Sequence, residues 1–421
     1  MKKPLPNAEK LSLVFVSAFT LLIVIFLSCT TYYINYWPTD SENPYLPTAA
    51  KLFQMPYISD IHRLPLPGIL KVNMHGKEAL ILGIAVMQKV FRDTASLFPN
   101  VFLLILAVGI SGILVYLVTR GLLDNFLGLV AFLLFSTTFW PYQYVIFGAH
   151  PPLALMNFLF AILFLQLGAR TRLAYLASGM FLAIMFFSSP TATIFVPYYL
   201  GFWSYRTFLY PRRQSPGEAV GNISLLTAGA SVVFLFFTAP HPIENLKGLD
   251  TFINVSKYGN NFAMYHDYLQ RFFPLTKHFR GAGWLWILKY LFLILPVLSS
   301  AYLLSAIYLL WQGRRKRHLL FLLALSLAAP LAVETSQVVQ FGRNYFPWLV
   351  GILGLVVFTL YDIHERLKDG TFRFPKVIFY AGTALLLIAH AATNAFAFFG
   401  DVLPTRMATT DRKSTRLNSS H

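Results

Sequence analysis

Residues 38–68 read PTDSENPYLPTAAKLFQMPYISDIHRLPLPG and gather Asp40, Glu42, Asp60, His62 and Arg63 in a chain otherwise short of charge. Asp40 stands just after a long apolar run. A carboxylate at such a boundary, partly desolvated, is suited to general-base work on a hydroxyl or an amine. Interfacial solvation and helix capping are the plainer uses of the same residue. Glu42 is its rival for the base. His62 and Arg63 precede LPLPG, whose prolines stiffen the backbone, so a cation there is held in place. The forked donors of arginine suit a phosphate. Arg343 in QFGRNYFPW is a further cation, and Lys257, Arg271, Lys277 and Arg280 are interleaved with Phe and Tyr. Together they point to an anionic ligand. For any one of them alone, contact with lipid headgroups is the alternative.

The elements that must position these residues are apolar. The 421 residues are 56% hydrophobic and 12% charged, where a soluble chain carries about 25% charged residues. Runs long enough to cross a hydrocarbon layer of roughly 30 Å recur along the whole length. The expected fold class is therefore all-α: a polytopic transmembrane protein of about 11 spans with no separate soluble domain. The net charge of +17 sits mostly in short loops between apolar runs. That is the positive-inside pattern, and it accounts for the basic balance without nucleic acid.

Lys2, Lys3 and Lys10 place the N-terminus in the cytoplasm ahead of a first span near 11–34. Further spans fall near 98–118, 122–145, 151–168, 173–189, 190–205, 222–240, 284–311, 319–335, 345–361 and 376–398. Pro190 divides the fifth from the sixth, because proline lacks the donor and clashes with the preceding turn. Every short loop placed inside is basic, and the two long loops, near 35–97 and 241–283, both fall outside. The first loop contains YLPTAAKLFQ and the amphipathic HGKEALILGIAVMQKVFRD, which suit helices lying in the membrane interface.

Other chemistry is not signalled. The sequence has no Walker loop, GxSxG, HExxH or CxxC. Its single cysteine, Cys29, forbids an internal disulfide. His150, alone at a turn, reads as structural. The final DRKSTRLNSSH corresponds to a common sequencing-library adapter translated in frame. Residues 1–410 are therefore expected to be one integral membrane domain that lacks its true C-terminus, and 411–421 to be foreign.

The order of motifs resembles the polytopic glycosyltransferases of the C-type fold. The nearest group is the dolichyl-phosphate-mannose protein mannosyltransferase-like family, which includes the lipid A aminoarabinose transferases. The segments DSENPYLPTAAKLF, HRLPLPGIL, GMFLAIMFFSSPTATIFVPYYL and GRNYFPWLVGILGL carry the likeness, which extends over roughly residues 11–360. It implies a cell-envelope enzyme of the bacterial inner membrane, a hexosyl- or pentosyltransferase working on the extracytoplasmic side. Its donor would be a sugar on a polyprenyl-phosphate carrier, and its acceptor a lipid, a glycan or a protein. Asp40 would be the base, with Glu42 as alternative. Arg63, or less well His62, would contact the carrier phosphate, and Arg343 matches the family arginine before a late span. Inversion at the anomeric carbon is expected, with no nucleotide sugar.

The chain also departs from the family. Where relatives have an acid at the start of the fourth span, this chain has GAHPP with His150, and Ser188 and Ser189 stand where a basic residue is usual. No cofactor is required by the likeness, and a divalent cation stays open. An O-antigen polymerase or ligase-type enzyme is a rival reading, but its largest loop would come late in the chain. A flippase without chemistry would need polar residues lining the spans, and these are almost purely apolar.

Overall fold

A computed structural model describes residues 7–33, 45–63, 76–146, 148, 150–205, 207, 215–242, 291–292, 295–313, 317–335, 345–371 and 375–402. All regular structure among them is helical. The elements are α1 (Asn7–Tyr33), α2 (Tyr45–Leu52), a 3-10 turn (Ile58–Arg63), α3 (Glu78–Phe91) and α4 (Phe98–Leu122). Next come α5 (Asn125–Thr137), α6 (Phe139–Ile146), α7 (Pro151–Leu167), α8 (Leu173–Phe186), a second 3-10 turn (Pro190–Phe195), α9 (Val196–Ser204) and α10 (Pro216–Thr238). The last are α11 (Pro296–Gly313), α12 (Arg317–Ser326), α13 (Ala328–Thr335), α14 (Trp348–Lys368) and α15 (Lys376–Ala397).

Five of these helices are long and apolar enough to cross a membrane, and α5 with α6 makes a sixth if that bent pair is one span. Helices α7 and α8 are apolar but shorter. Helices α4 and α14 bury 61% and 56% of their apolar windows, whereas α1 buries 17% and α10 and α15 bury 22% each. The first two therefore form the centre of the bundle. The outer three present Leu21, Leu22, Val232, Phe236, Leu385 and Ile388 outward, as helices bathed in hydrocarbon do.

Contacts fix two ends. At one, Glu9 of α1 lies 3.8 Å from Arg120, Ser12 accepts from Asn125, Gln166 donates to Val118 O, and Lys368 lies 3.9 Å from Asp124. Lys10, Arg170, Arg172 and Lys376 also belong to this basic end. At the other, Asn100 donates to Gly148 O, Ala79 N–H to Phe187 O, and Ser59 to Ala239 O. The segments between α1 and α4 gather here, at the first-loop end.

Two helix breaks, between α5 and α6 and between α12 and α13, follow from proline. Pro141 cannot donate to Thr137 O, and its ring crowds that carbonyl. The chain accordingly leaves the helix at Thr138, and α6 departs from α5 by 41°. The Phe139 N–H freed at the break donates to Asn394 Oδ1 at 2.9 Å, while His390 Nε2 lies 3.0 Å from Thr138 Oγ1. Replacing Asn394 with Leu orphans that buried donor and should cost about 1–3 kcal/mol. Thermal unfolding in detergent reads this directly, and an unchanged midpoint would refute the clamp. In the same way Pro330 deprives Ser326 O of its helical donor. Tyr198 OH supplies a replacement at 3.2 Å.

Helix α3 forms where the amphipathic stretch was expected. Its apolar face, with Leu80, Ile81, Ile84 and Ala85 buried, packs on α2 and α4. Protein thus covers the face expected to lie in lipid, while Val86, Lys89, Val90 and Phe91 stay exposed.

Candidate functional site

Described elements flank the residues expected to do chemistry. Helix α1 starts at the basic end and so delivers Tyr33 to the opposite one. Asp40 and Glu42, between α1 and α2, lie outside the described residues, as do Lys257, Arg271 and Arg343. Their anchors are described. Helix α10 ends beside Ser59. Helices α11 and α14 meet at the basic end through Tyr308 OH to Asp362 at 2.7 Å and Arg366 to Gln312 at 2.8 Å. Both helices therefore begin at the first-loop end, where Tyr345 and Phe346, just after Arg343, are fully buried. His62 and Arg63 close the 3-10 turn Ile58–Arg63; their side chains lie outside the described residues.

Two other acids of the first loop have structural partners. Asp93 accepts from Ala95 N and Ser96 N at 2.9 Å and from the Ser96 hydroxyl. Burial opposes its ionisation, but these hydrogen bonds hold its carboxyl below the usual range. Asp60 accepts from Tyr57 N at 3.3 Å. Such local turns use the carboxylate to stabilise the backbone.

A buried polar network lies at this same end. His150, at the N-terminus of α7, places Nδ1 2.7 Å from Ser189 Oγ in the turn after α8. Next to it, Asn157 Nδ2 donates to Ser188 Oγ at 3.1 Å and to Leu153 O at 2.8 Å. Asn100 reaches the turn before α7 through Gly148 O at 3.2 Å, and its own Oδ1 is buried with no partner among the described residues. These three side chains, with Lys77 and Glu78 at the start of α3, are all buried. Asn100 and Asn157 were not among the expected site residues, although an asparagine inside an apolar run is the signal that finds them. His150, Ser188 and Ser189, the departures from the family pattern, are brought together by the fold. Ser189→Ala removes the ring's Nδ1 partner and should lower stability by about 1 kcal/mol. Equal thermal midpoints for the two proteins would contradict that.

A second cluster sits at the basic end. The ligand atoms of Asp124, His364 and Glu365 lie within 4.8 Å of one another. His364 Nε2 is 3.9 Å from Asp124, and its ring stacks on Phe379. Yet Lys368 Nζ is 2.7 Å from Glu365 and 3.9 Å from Asp124, and Asp124 Oδ1 caps α5 through Leu127 N at 2.8 Å. An ammonium already lies against both carboxylates, so the donor set suits an ion-pair network joining α14 to α5 better than a divalent cation. Among the described residues no other cluster of this kind is present.

No family model and no curated protein matches the sequence. Solved structures do match. The Archaeoglobus fulgidus oligosaccharyltransferase in complex with Zn and sulfate aligns at TM-score 0.56 and 14% identity, over 92% of this chain and 53% of that one. Its apo form aligns at TM-score 0.53 and 12% identity, over 96% and 56%. ArnT from Cupriavidus metallidurans, bound to undecaprenyl phosphate, aligns at TM-score 0.47 and 14% identity, over 93% and 74%. The chain thus spans about half the length of the archaeal protein. Identities this low speak for architecture rather than activity. In that architecture the chain has the fold of the C-type membrane glycosyltransferases.

Proposed function

We propose that the chain is a glycosyltransferase that moves a sugar from a polyprenyl-phosphate carrier to an acceptor at the first-loop end, on the extracytoplasmic face of a bacterial inner membrane. The observation that carries this reading is the fold, shared with a membrane oligosaccharyltransferase over 92% of the chain. Supporting it, the segments bearing Asp40, Glu42, Arg63, Lys257, Arg271 and Arg343 are anchored at one end, and Lys10, Arg120, Arg170 and Arg172 at the other. The positive-inside rule then puts the basic end and the N-terminus in the cytoplasm.

In the reaction, Asp40 takes the proton of an acceptor hydroxyl or amine, with Glu42 as its rival. The freed electron pair forms the new bond to the anomeric carbon. The bond from that carbon to the carrier phosphate oxygen breaks, its electron pair leaves with the phosphate, and the configuration inverts. Arg63 and Arg343, with help from His62, Lys257 and Arg271, stabilise the charge that grows on the phosphate. The described acid–histidine cluster lies at the opposite end of the bundle, and a divalent cation beside Asp40 stays open. The acceptor is a lipid, a glycan or a protein, and the transferred sugar a hexose or a pentose.

The test is transfer in vitro. Purified protein is offered radiolabelled polyprenyl-phosphate sugars with lipid, glycan or peptide acceptors. Label moving to an acceptor supports the reading. Folded protein that transfers nothing from any donor removes it in favour of a polymerase, a ligase or a flippase.

A further inference from the structure

Helix α3 turns one side outward at the first-loop end. Its inward side is held in place, because Gln88 Nε2 donates to Leu46 O of α2 at 3.2 Å and Ala79 N–H donates to Phe187 O at 2.8 Å. On the outward side Val86, Lys89, Val90, Phe91 and the following Arg92 are exposed, and so is Phe53 just beyond α2. Lys89 Nζ lies 3.6 Å from the centre of the Phe53 ring, a cation–π contact that joins the two helices on this side. A surface of aliphatic and aromatic groups, with an ammonium and a guanidinium among them, is thus carried on a fixed support.

Its position, its charge and one strained residue say what it faces. The Phe91 ring packs edge-on against Phe98 and Phe102 in the first turns of the span α4, at 5.0 and 4.9 Å between ring centres. Tyr32, at the end of α1, stands 5.4 Å from Phe98. Tyr32 is exposed and the two α4 rings are half-buried, so the patch continues the outer surface of two spans at the level where they end. Tyrosines collect at that level of a bilayer. Residues 45–57 and 79–97 contain three cations, Lys51, Lys89 and Arg92, against one acid, Asp93. The Asp93 carboxylate is taken up by Ala95 N and Ser96 N in its own turn. Arg92 itself closes α3 in the left-handed conformation, with φ 53° and its N–H on Lys89 O. Among the described residues it is the only one besides glycine with positive φ. Glycine fits such a position without strain, and an arginine kept there points to a use for its guanidinium. We propose that this side of α3 docks on the leaflet at the first-loop end, with Val86, Val90 and Phe91 at the acyl boundary and Lys51, Lys89 and Arg92 on the phosphates of anionic phospholipids. The docking is independent of sugar transfer.

Spin-label accessibility reads the outcome. Cys29 is the single cysteine of the sequence, so a Cys29→Ser background lets a nitroxide be placed through Val90→Cys. Leu385→Cys, on the outer face of α15, supplies the reference in hydrocarbon. The full chain is reconstituted in vesicles of phosphatidylcholine, alone or mixed with phosphatidylglycerol. In the mixed vesicles the Val90→Cys label should meet oxygen more often than a water-soluble nickel chelate, at a depth of about 5–10 Å. In phosphatidylcholine alone it should lie shallower. Lys89→Gln with Arg92→Gln should lower the ratio of docked to undocked face in the mixed vesicles by about 25-fold, roughly fivefold for each cation near an anionic surface. Nickel then reaches the label. Arg92→Gly alone should lower the ratio about fivefold while the thermal midpoint holds or rises. A label open to nickel in the mixed vesicles, a label shielded from both reagents, or equal depth in the two lipids would each overturn the docking. So would an Arg92→Gly protein that is less heat-stable yet docks as wild type does, because the arginine would then serve the fold alone.

Discussion

Asp40→Asn should lower the rate of sugar transfer by about 10²–10⁴-fold, the usual contribution of a positioned general base. The substitution is nearly isosteric and cannot accept a proton. It therefore separates proton transfer from substrate shape. If Asp40 acts only in the chemical step, kcat falls and KM for the donor stays near its original value. Glu42→Gln is the matched control and should leave transfer within a few-fold of wild type. The opposite pattern would assign the base to Glu42, and full activity in both variants would exclude the loop as the source of the base. Arg63→Ala belongs in the same series. Loss of a charge-assisted hydrogen bond to a phosphate is worth roughly 1.5–3 kcal/mol, about 10–10²-fold. Its effect should therefore be smaller than that of Asp40→Asn.

Much of the architecture could be read from the sequence because a hydrocarbon environment demands it. A backbone without water must satisfy its own hydrogen bonds, so long apolar runs become helices, and α1, α4, α10, α14 and α15 lie where the runs placed them. What could not be read depends on partners far away in the chain. Pro190 was visible as a breaker, but Pro141 and Pro330 lie inside the runs 122–145 and 319–335 that were expected to be unbroken spans. The groups that satisfy the broken backbone, Asn394 for Phe139 N–H and Tyr198 for Ser326 O, are reached only through the tertiary fold. The covering of α3 by α2 and α4 was hidden for the same reason: an amphipathic face has the same pattern whether lipid or protein receives it. His150 and Ser189, separated by 39 residues, gave no local sign of meeting. Asp40, Glu42 and the loop cations are candidates by type and spacing alone, because their side chains lie outside the described residues.

The second large effect concerns the pair α8 and α10, the most closely packed helices of the bundle. A Cβ on Gly179 would lie 2.0 Å from Leu226 O, and a Cβ on Gly229 would lie 2.0 Å from Leu176 O. The relation is reciprocal: each glycine receives a backbone carbonyl of the other helix, the close approach that small residues permit between membrane helices. Neither carbonyl can rotate away as a side chain would, so a methyl at either site forces the helices apart by more than an ångström. Helix α8 has little room to retreat, because Ser178 Oγ is 2.7 Å from Ala161 O and 2.8 Å from Tyr199 OH. We expect Gly179→Ala and Gly229→Ala each to cost about 3 kcal/mol, at the upper end for overpacking. Because both act on one crossing, the double variant should cost less than their sum. Gly221→Ala on α10, where an added Cβ meets nothing within 4 Å, should be neutral or stabilising by up to about 1 kcal/mol. A Gly221→Ala loss equal to that of Gly229→Ala would refute the close-approach account. The effect should also reach the reaction. Helix α8 ends in the turn that holds Ser188 and Ser189 against Asn157 and His150, and that receives the Ala79 N–H at Phe187 O. Displacing α8 therefore shifts the seat of α3 and the first loop, so transfer by Gly229→Ala should fall even at temperatures where the protein stays folded.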